Sequence, residues 1–215
     1  MIRSFLSRRQ ILAGGLLAVP ALVEFKAKGW AKNTTDTSAP APEIRPGLDV
    51  FFERAETAGA FVALRDGRLV ANDEKRIGEG LLPASTFKVP HSIIALETGV
   101  VSDPDKDIFK WDGIPRGFPD WNKDHTLRSA IAASAVPVYQ QIARRIGPER
   151  MQRYMDLIDY GNHSIGGGMD RFWLTGDLRV SPRQQVDFLD RLQRRALAVS
   201  ERSQELALDI LPVTK

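Results

Sequence analysis

The chain has 215 residues, of which 43% are hydrophobic and 27% are charged, and this composition suits one globular domain with an ordinary core. It contains no cysteine, which excludes disulfides, thiolate metal sites and a catalytic thiol. Residues 1–31 hold five basic residues and one acidic residue, whereas the whole chain is only +3. The remainder is therefore close to neutral, and nucleic-acid binding is not expected.

The first 31 residues have the pattern of an export signal. Arg8 and Arg9 precede an apolar run over residues 11–23, which is too short to span a bilayer as a helix. This arrangement is typical of a twin-arginine signal, and the general export route is the alternative. Gly29-Trp30-Ala31 suits cleavage after residue 31. We therefore expect use of the export machinery, a periplasmic or secreted location and no stable membrane anchor.

The polar, proline-rich residues 32–47 are predicted to be a linker, and residues 48–215 to be the folded domain. Within that domain, two short apolar runs between Gly59 and Asn72 flank Asp66-Gly67, which predicts a β-hairpin.

Prolines near the start and glycines just after the end mark a series of helices in the rest of the chain. The predicted spans are 85–98, 127–134, 137–147, 148–158, 181–195 and 200–211. Two strands cannot form an independent sheet, so either strands escape notice or the chain is incomplete. The pattern favours an α+β fold in which a sheet carries a helical lobe.

The segment Ser85-Thr86-Phe87-Lys88 could carry nucleophilic chemistry. Residues three apart on a helix share a face, so a lysine amine would lie beside the serine hydroxyl and could act as its base. The first turn of the helix also supplies free backbone N–H groups for an oxyanion. Taken alone, the pattern is weak, because an N-cap serine and a surface lysine would look the same.

Three further segments are candidates for the same site. Ser134-Ala135-Val136, at a helix–loop junction, could relay a proton or merely cap a helix. Tyr160-Gly161-Asn162 could let the backbone approach a ligand, or form a simple turn. Phe172-Trp173-Leu174 offers one indole N–H, or only core packing.

These four segments, in this order, resemble the class D (oxacillinase-type) serine β-lactamases, and the resemblance runs from about Phe51 to Leu211. Class A enzymes fit less well, because their second motif is Ser-Asp-Asn. The resemblance implies the β-lactamase/penicillin-binding transpeptidase-like fold, with a helical lobe on an antiparallel sheet. It also implies hydrolysis of β-lactam antibiotics, and hence a contribution to antibiotic resistance.

The resemblance implies a role for each residue that matches a family motif. Ser85 would attack the β-lactam carbonyl, and Lys88, carboxylated by carbon dioxide, would be the general base. Ser134 would pass a proton to the ring nitrogen, Val136 would keep the lysine pocket dry, and Trp173 would hold the carbamate through its indole.

The remaining motif residues would line the substrate site: Tyr160, Gly161, Asn162 and Leu174. The three histidines show no metal-binding pattern, so no metal is expected, and carbon dioxide or bicarbonate is the only cofactor implied. Whether the protein forms a homodimer is left open.

The sequence departs from the family at its end, where no Lys-Thr-Gly is found. We therefore expect the 215 residues to be C-terminally incomplete. This leaves two alternatives to an active enzyme, namely a truncated homologue that does not hydrolyse β-lactams and a penicillin-binding sensor that is acylated without turnover.

Overall fold

The computed structural model describes residues 41–211. The predicted signal, residues 1–31, lies outside this range, as do the first part of the predicted linker and residues 212–215. In the part of the chain that is described, no helix combines the length and apolarity needed to cross a bilayer.

Three short strands form a single sheet in the order β1-β3-β2. They are β1 (Glu43–Ile44), β2 (Val62–Arg65) and β3 (Arg68–Ala71). The antiparallel pairing of β2 with β3 confirms the predicted hairpin. Its two turn residues, Asp66 and Gly67, have φ angles of 51° and 72°, as a tight two-residue turn requires.

The sheet differs from the predicted one in two ways. Strand β1 lies inside the predicted linker, so the folded region starts earlier than Leu48. It also pairs with β3 in parallel, which makes the sheet mixed rather than antiparallel. The parallel pairing follows from the path of the chain, which passes through a short helix, α1 (Asp49–Arg54), before it enters the hairpin. A two-residue strand is too short to show the alternation that predicts strands.

All six predicted helices are present within a few residues of their expected bounds. They are α3 (Lys88–Glu97), α4 (Leu127–Ala132), α5 (Val136–Ile146), α6 (Pro148–Leu157), α7 (Pro182–Gln193) and α8 (Glu201–Asp209). A further short helix, α2 (Glu74–Gly78), was not predicted because five residues are too few for a clear period. Ser181 begins α7 with a capping box that it shares with Gln184, as the Ser-Pro pair indicates.

Helix α3 is the centre of the helical lobe. It packs against α5 and α8, and of its residues 88–96 all except Val89 are buried. A helix that is buried on nearly every side must be enclosed by other elements. The consequence for function is that Lys88, the first residue of α3, is carried into the protein interior.

Candidate active site

Ser85 lies on a 3-10 helix, Ala84–Phe87, that runs directly into α3. The sequence predicted one continuous helix, and the first turn is instead the tighter 3-10 form. Ala84 has a φ of 46°, a strained value for a residue with a side chain, and such strain concentrates at functional sites. The turn leaves Ser85 exposed, whereas Lys88 is only 2% exposed.

The hydroxyl of Ser85 meets two polar side chains. The Nζ atom of Lys88 lies 2.9 Å from Ser85 Oγ, and Ser134 Oγ lies 3.0 Å from the same atom. One exposed hydroxyl is therefore within hydrogen-bond reach of an amine that could accept its proton and of a second hydroxyl that could relay it.

Ser134 reaches Ser85 from the junction between α4 and α5. Its φ of 48° turns the chain sharply, and Ala135 closes the turn by donating its N–H to the carbonyl of Ala130 over 2.9 Å. Val136 then begins α5 and is half-buried. The junction thus does more than cap a helix, because it directs the Ser134 hydroxyl at the Ser85 hydroxyl.

Lys88 occupies an electrostatic environment that disfavours its charged form. Burial lowers the pKa of its amine to about 8, because the ammonium loses hydration. Among the described residues, the only hydrogen-bond partner of the Lys88 amine is the Ser85 hydroxyl, and the Tyr139 ring centroid lies 5.5 Å from Nζ. With a pKa near 8, about a tenth of this amine is neutral at pH 7, and that fraction can act as a base or react with an electrophile.

Trp173 is brought to Ser85 by main-chain hydrogen bonds. Ala84 donates its N–H to the Trp173 carbonyl over 3.0 Å, and Leu81 and Val180 exchange both of their backbone bonds at 3.0 and 2.9 Å. These bonds fix the segment around Trp173 alongside the segment that leads to Ser85.

The Trp173 indole is completely buried in an aromatic cluster. Its ring centroid lies 5.7 Å from that of Phe87 and 5.1 Å from that of His91. Within residues 41–211 its Nε1 atom has no hydrogen-bond partner. Core packing therefore explains the position of the ring, but it does not explain the unpaired donor.

The Tyr160-Gly161-Asn162 segment has its contacts inside the protein. Tyr160 is buried and donates its hydroxyl to Gln185 over 2.6 Å, and burial raises its pKa. Asn162 binds the backbone of Asp177 and Arg179 at 2.9 Å each.

Gly161 has a φ of 60°, and a Cβ there would lie 2.2 Å from the Arg179 carbonyl oxygen. Leu174 is half-buried against the core. The contacts that these four residues make within residues 41–211 are structural, and their part in binding substrate stays a prediction.

One buried polar residue beside Lys88 was not predicted to belong to the site. His91 is fully buried, and neither of its ring nitrogens has a partner within the described residues. Its position three residues after Lys88 on one helix face was the available signal.

The chain is similar to proteins of known family. The penicillin binding protein transpeptidase domain family matches residues 63–204. Over 162 residues the chain is 46% identical to β-lactamase OXA-10 of Pseudomonas aeruginosa, covering 74% of this chain and 60% of that protein. Over 195 residues it is 40% identical to β-lactamase OXA-48 of Klebsiella pneumoniae, covering 91% and 68%.

A solved structure shows the same likeness in three dimensions. The class D β-lactamase FUS-1 (OXA-85) of Fusobacterium nucleatum subsp. polymorphum superposes with a TM-score of 0.77 at 35% identity, covering 80% of this chain and 72% of that one. The chain spans about 60% of the length of OXA-10 and 58% of that of OXA-5.

Proposed function

The chain belongs to the class D β-lactamases, and from that premise we propose that it hydrolyses β-lactam antibiotics through an acyl-enzyme on Ser85. The observation that carries this proposal is the convergence of Lys88 Nζ and Ser134 Oγ on the Ser85 hydroxyl, at 2.9 and 3.0 Å. A serine hydroxyl becomes a nucleophile when a base and a proton relay are in hydrogen-bond reach.

In the acylation step, Ser85 Oγ attacks the lactam carbonyl carbon and loses its proton toward residue 88. The carbonyl π electrons move to its oxygen, where the backbone N–H of Ser85, in the first turn of the 3-10 helix, would stabilise the negative charge. As the tetrahedral intermediate collapses, the carbon–nitrogen bond breaks. Ser134 then gives its hydroxyl proton to the departing ring nitrogen and is reprotonated by the proton that residue 88 took from Ser85.

We also propose that Lys88 is carboxylated by carbon dioxide in the active protein. Its pocket fits that modification, because the buried amine has a pKa near 8 and its neutral form can attack carbon dioxide. The Trp173 Nε1 atom, which finds no partner within residues 41–211, is a buried donor suited to an anion. Such a carbamate would supply an anionic base for activating water in deacylation. Val136, at the start of α5, would help to keep water out of the pocket.

Further proposals concern substrate contacts and location. We propose that four residues support the wall of the substrate site from behind, since their contacts are with the rest of the protein: Tyr160, Gly161, Asn162 and Leu174.

The predicted export signal supports delivery to the periplasm or the exterior, where β-lactams would be met first. A homodimer is a further proposal that size-exclusion chromatography tests directly.

Turnover of a chromogenic cephalosporin by the full chain, with and without added bicarbonate, tests the function. We expect turnover that rises with bicarbonate and that is lost in Lys88→Ala. A stoichiometric acyl adduct without turnover would instead identify a penicillin-binding sensor. An absence of both adduct and turnover would identify a homologue that does not process β-lactams.

A further inference from the structure

Three buried side-chain nitrogens lack hydrogen-bond partners in the described part of the chain, and the two residues that carry them pack ring against ring, with centroids 5.1 Å apart, one helical turn after Lys88. They are Trp173 Nε1 and both ring nitrogens of His91. Leaving a buried donor or acceptor unpaired costs free energy, and a cluster of such atoms at one place indicates an interaction that the bare side chains do not make.

His91 lies one helical turn after Lys88, close enough for the lysine charge to influence it. It follows Lys88 by three residues on α3, so the two side chains share a helix face. Its ring centroid lies 5.1 Å from that of Trp173 and 5.3 Å from those of Tyr139 and Phe87. A phenyl ring would satisfy this aromatic packing without placing unpaired nitrogens in the core, so packing alone does not account for an imidazole.

We propose that His91 is a positioning residue whose neutral imidazole, through a ring N–H, stabilises the anionic form of residue 88 together with the Trp173 indole. This inference rests on the proposed carboxylation of Lys88. It assigns to His91 a role in retaining the modified lysine, and no contact with the substrate.

The charges around His91 make it responsive to the state of residue 88. The titratable groups that face it are Lys88 on its own helix and Tyr139 on α5. The Tyr139 hydroxyl is 2.8 Å from Ser92 Oγ, and burial raises its pKa, so it stays neutral. Burial first, and the Lys88 cation second, lower the pKa of His91 to about 3. An anion at residue 88 would replace the repulsion from the Lys88 cation with an attraction. It would therefore favour a His91 ring N–H directed at the anion.

Two variants separate hydrogen bonding from ring packing. His91→Phe keeps an aromatic ring and removes the N–H, whereas His91→Asn keeps an N–H donor and removes the ring. Carbon-13 NMR of the full chain, titrated with labelled bicarbonate, reports the carbamate on Lys88 directly. Because hydrogen bonds to charged groups are the stronger kind, we expect His91→Phe to raise the half-saturating bicarbonate concentration about tenfold or more. His91→Asn should stay within about threefold of the parent protein if the N–H is what matters.

A measurement on the parent protein covers the case in which a variant fails to fold. Nitrogen-15 chemical shifts of the His91 ring should move as the carbamate signal appears, and they should stay fixed in Lys88→Met. A carbamate that forms with unchanged His91 shifts, or with unchanged bicarbonate dependence in folded His91→Phe, overturns the role of His91 and leaves the proposed function intact. If no carbamate forms in the parent protein, the proposed lysine modification fails, and the role of His91 fails with it.

Discussion

Ser85 and Ser134 lie 49 positions apart in the sequence, and their Oγ atoms are 3.0 Å apart in the structure. Backbone turns at both ends create this proximity. Ala84, directly before Ser85, and Ser134 itself both have φ angles in the left-handed region. Two strained turns held by the surrounding packing thus direct two hydroxyls at each other.

Ser85→Ala should abolish covalent labelling by penicillin, because the nucleophilic oxygen is removed and the nearby Ser134 hydroxyl is proposed to act only as a proton relay. Intact-protein mass spectrometry after incubation with benzylpenicillin checks this, with Ser102→Ala, an exposed serine hydrogen-bonded to Asp107, as the matched control. A variant at residue 85 that still gains the mass of the drug would refute the assignment of the nucleophile.

Lys88→Met should stabilise the protein at pH 7 in the absence of bicarbonate. The pKa of Lys88 falls from 10.5 unfolded to about 8 folded, so at pH below 8 the folded state bears the full cost of a buried cation. At about 1.4 kcal/mol per pKa unit, that cost is roughly 3 kcal/mol.

The pH dependence of this effect has a definite sign. Between pH 8 and 10.5 the unfolded chain binds more protons at this residue, so the parent protein gains stability as pH rises through that window. The advantage of Lys88→Met should therefore shrink across the same range. Urea unfolding at several pH values measures the difference in free energy of unfolding between Lys88→Met and the parent protein. The control is Lys106→Met, which loses only an exposed ion pair with Asp103. A gain in the stability of Lys88→Met that does not vary with pH would contradict the burial of a lysine cation as its cause.

Trp173→Phe should weaken the retention of the proposed carbamate while it preserves the aromatic cluster. Only the indole N–H and part of the ring are lost, so we expect about a tenfold or larger rise in the bicarbonate concentration that supports half-maximal turnover. Trp111→Phe is the matched control, because Trp111 is 39% exposed and its indole donates to the Ile114 carbonyl. Equal bicarbonate dependence in the two variants would argue against the role of Trp173.

Gly161→Ala should destabilise the fold by about 2 kcal/mol or more, because the added Cβ meets a backbone oxygen and the φ of 60° is strained for alanine. Gly78→Ala is a suitable comparison, since a Cβ at Gly78 meets nothing within 4 Å and the residue lies in a helix. There we expect a small gain in stability. Chemical denaturation of both variants measures the difference, and equal midpoints would show that the close approach at Gly161 is readily relieved.

Local sequence signals were sufficient for most of the secondary structure. Asp66-Gly67 predicted the hairpin because few other pairs adopt its turn, and Ser181-Pro182 predicted the start of α7 because both residues suit a helix N-terminus. Strand β1 could not be predicted, because two residues carry no period and its partner lies far along the chain.

The candidate site was predictable only in part. The spacing of Ser85 and Lys88 indicated that they would meet, since both lie on one helical turn. The position of Trp173 depends on backbone bonds to a distant segment, and no local pattern encodes those bonds. The role of His91 could not be predicted, because the sequence does not show whether the ring nitrogens of a histidine will have hydrogen-bond partners in the folded protein.

The main-chain bonds between Ala84 and Trp173, and between Leu81 and Val180, give the connecting loop a fixed length. Inserting or deleting one residue between Trp173 and Val180 would break either the strand-like pairing or the placement of the indole, whichever amino acid were chosen. Attempts to alter this protein by loop grafting should therefore spare residues 173–180, and the exposed stretch from Trp111 to Phe118 offers a more tolerant place for added length.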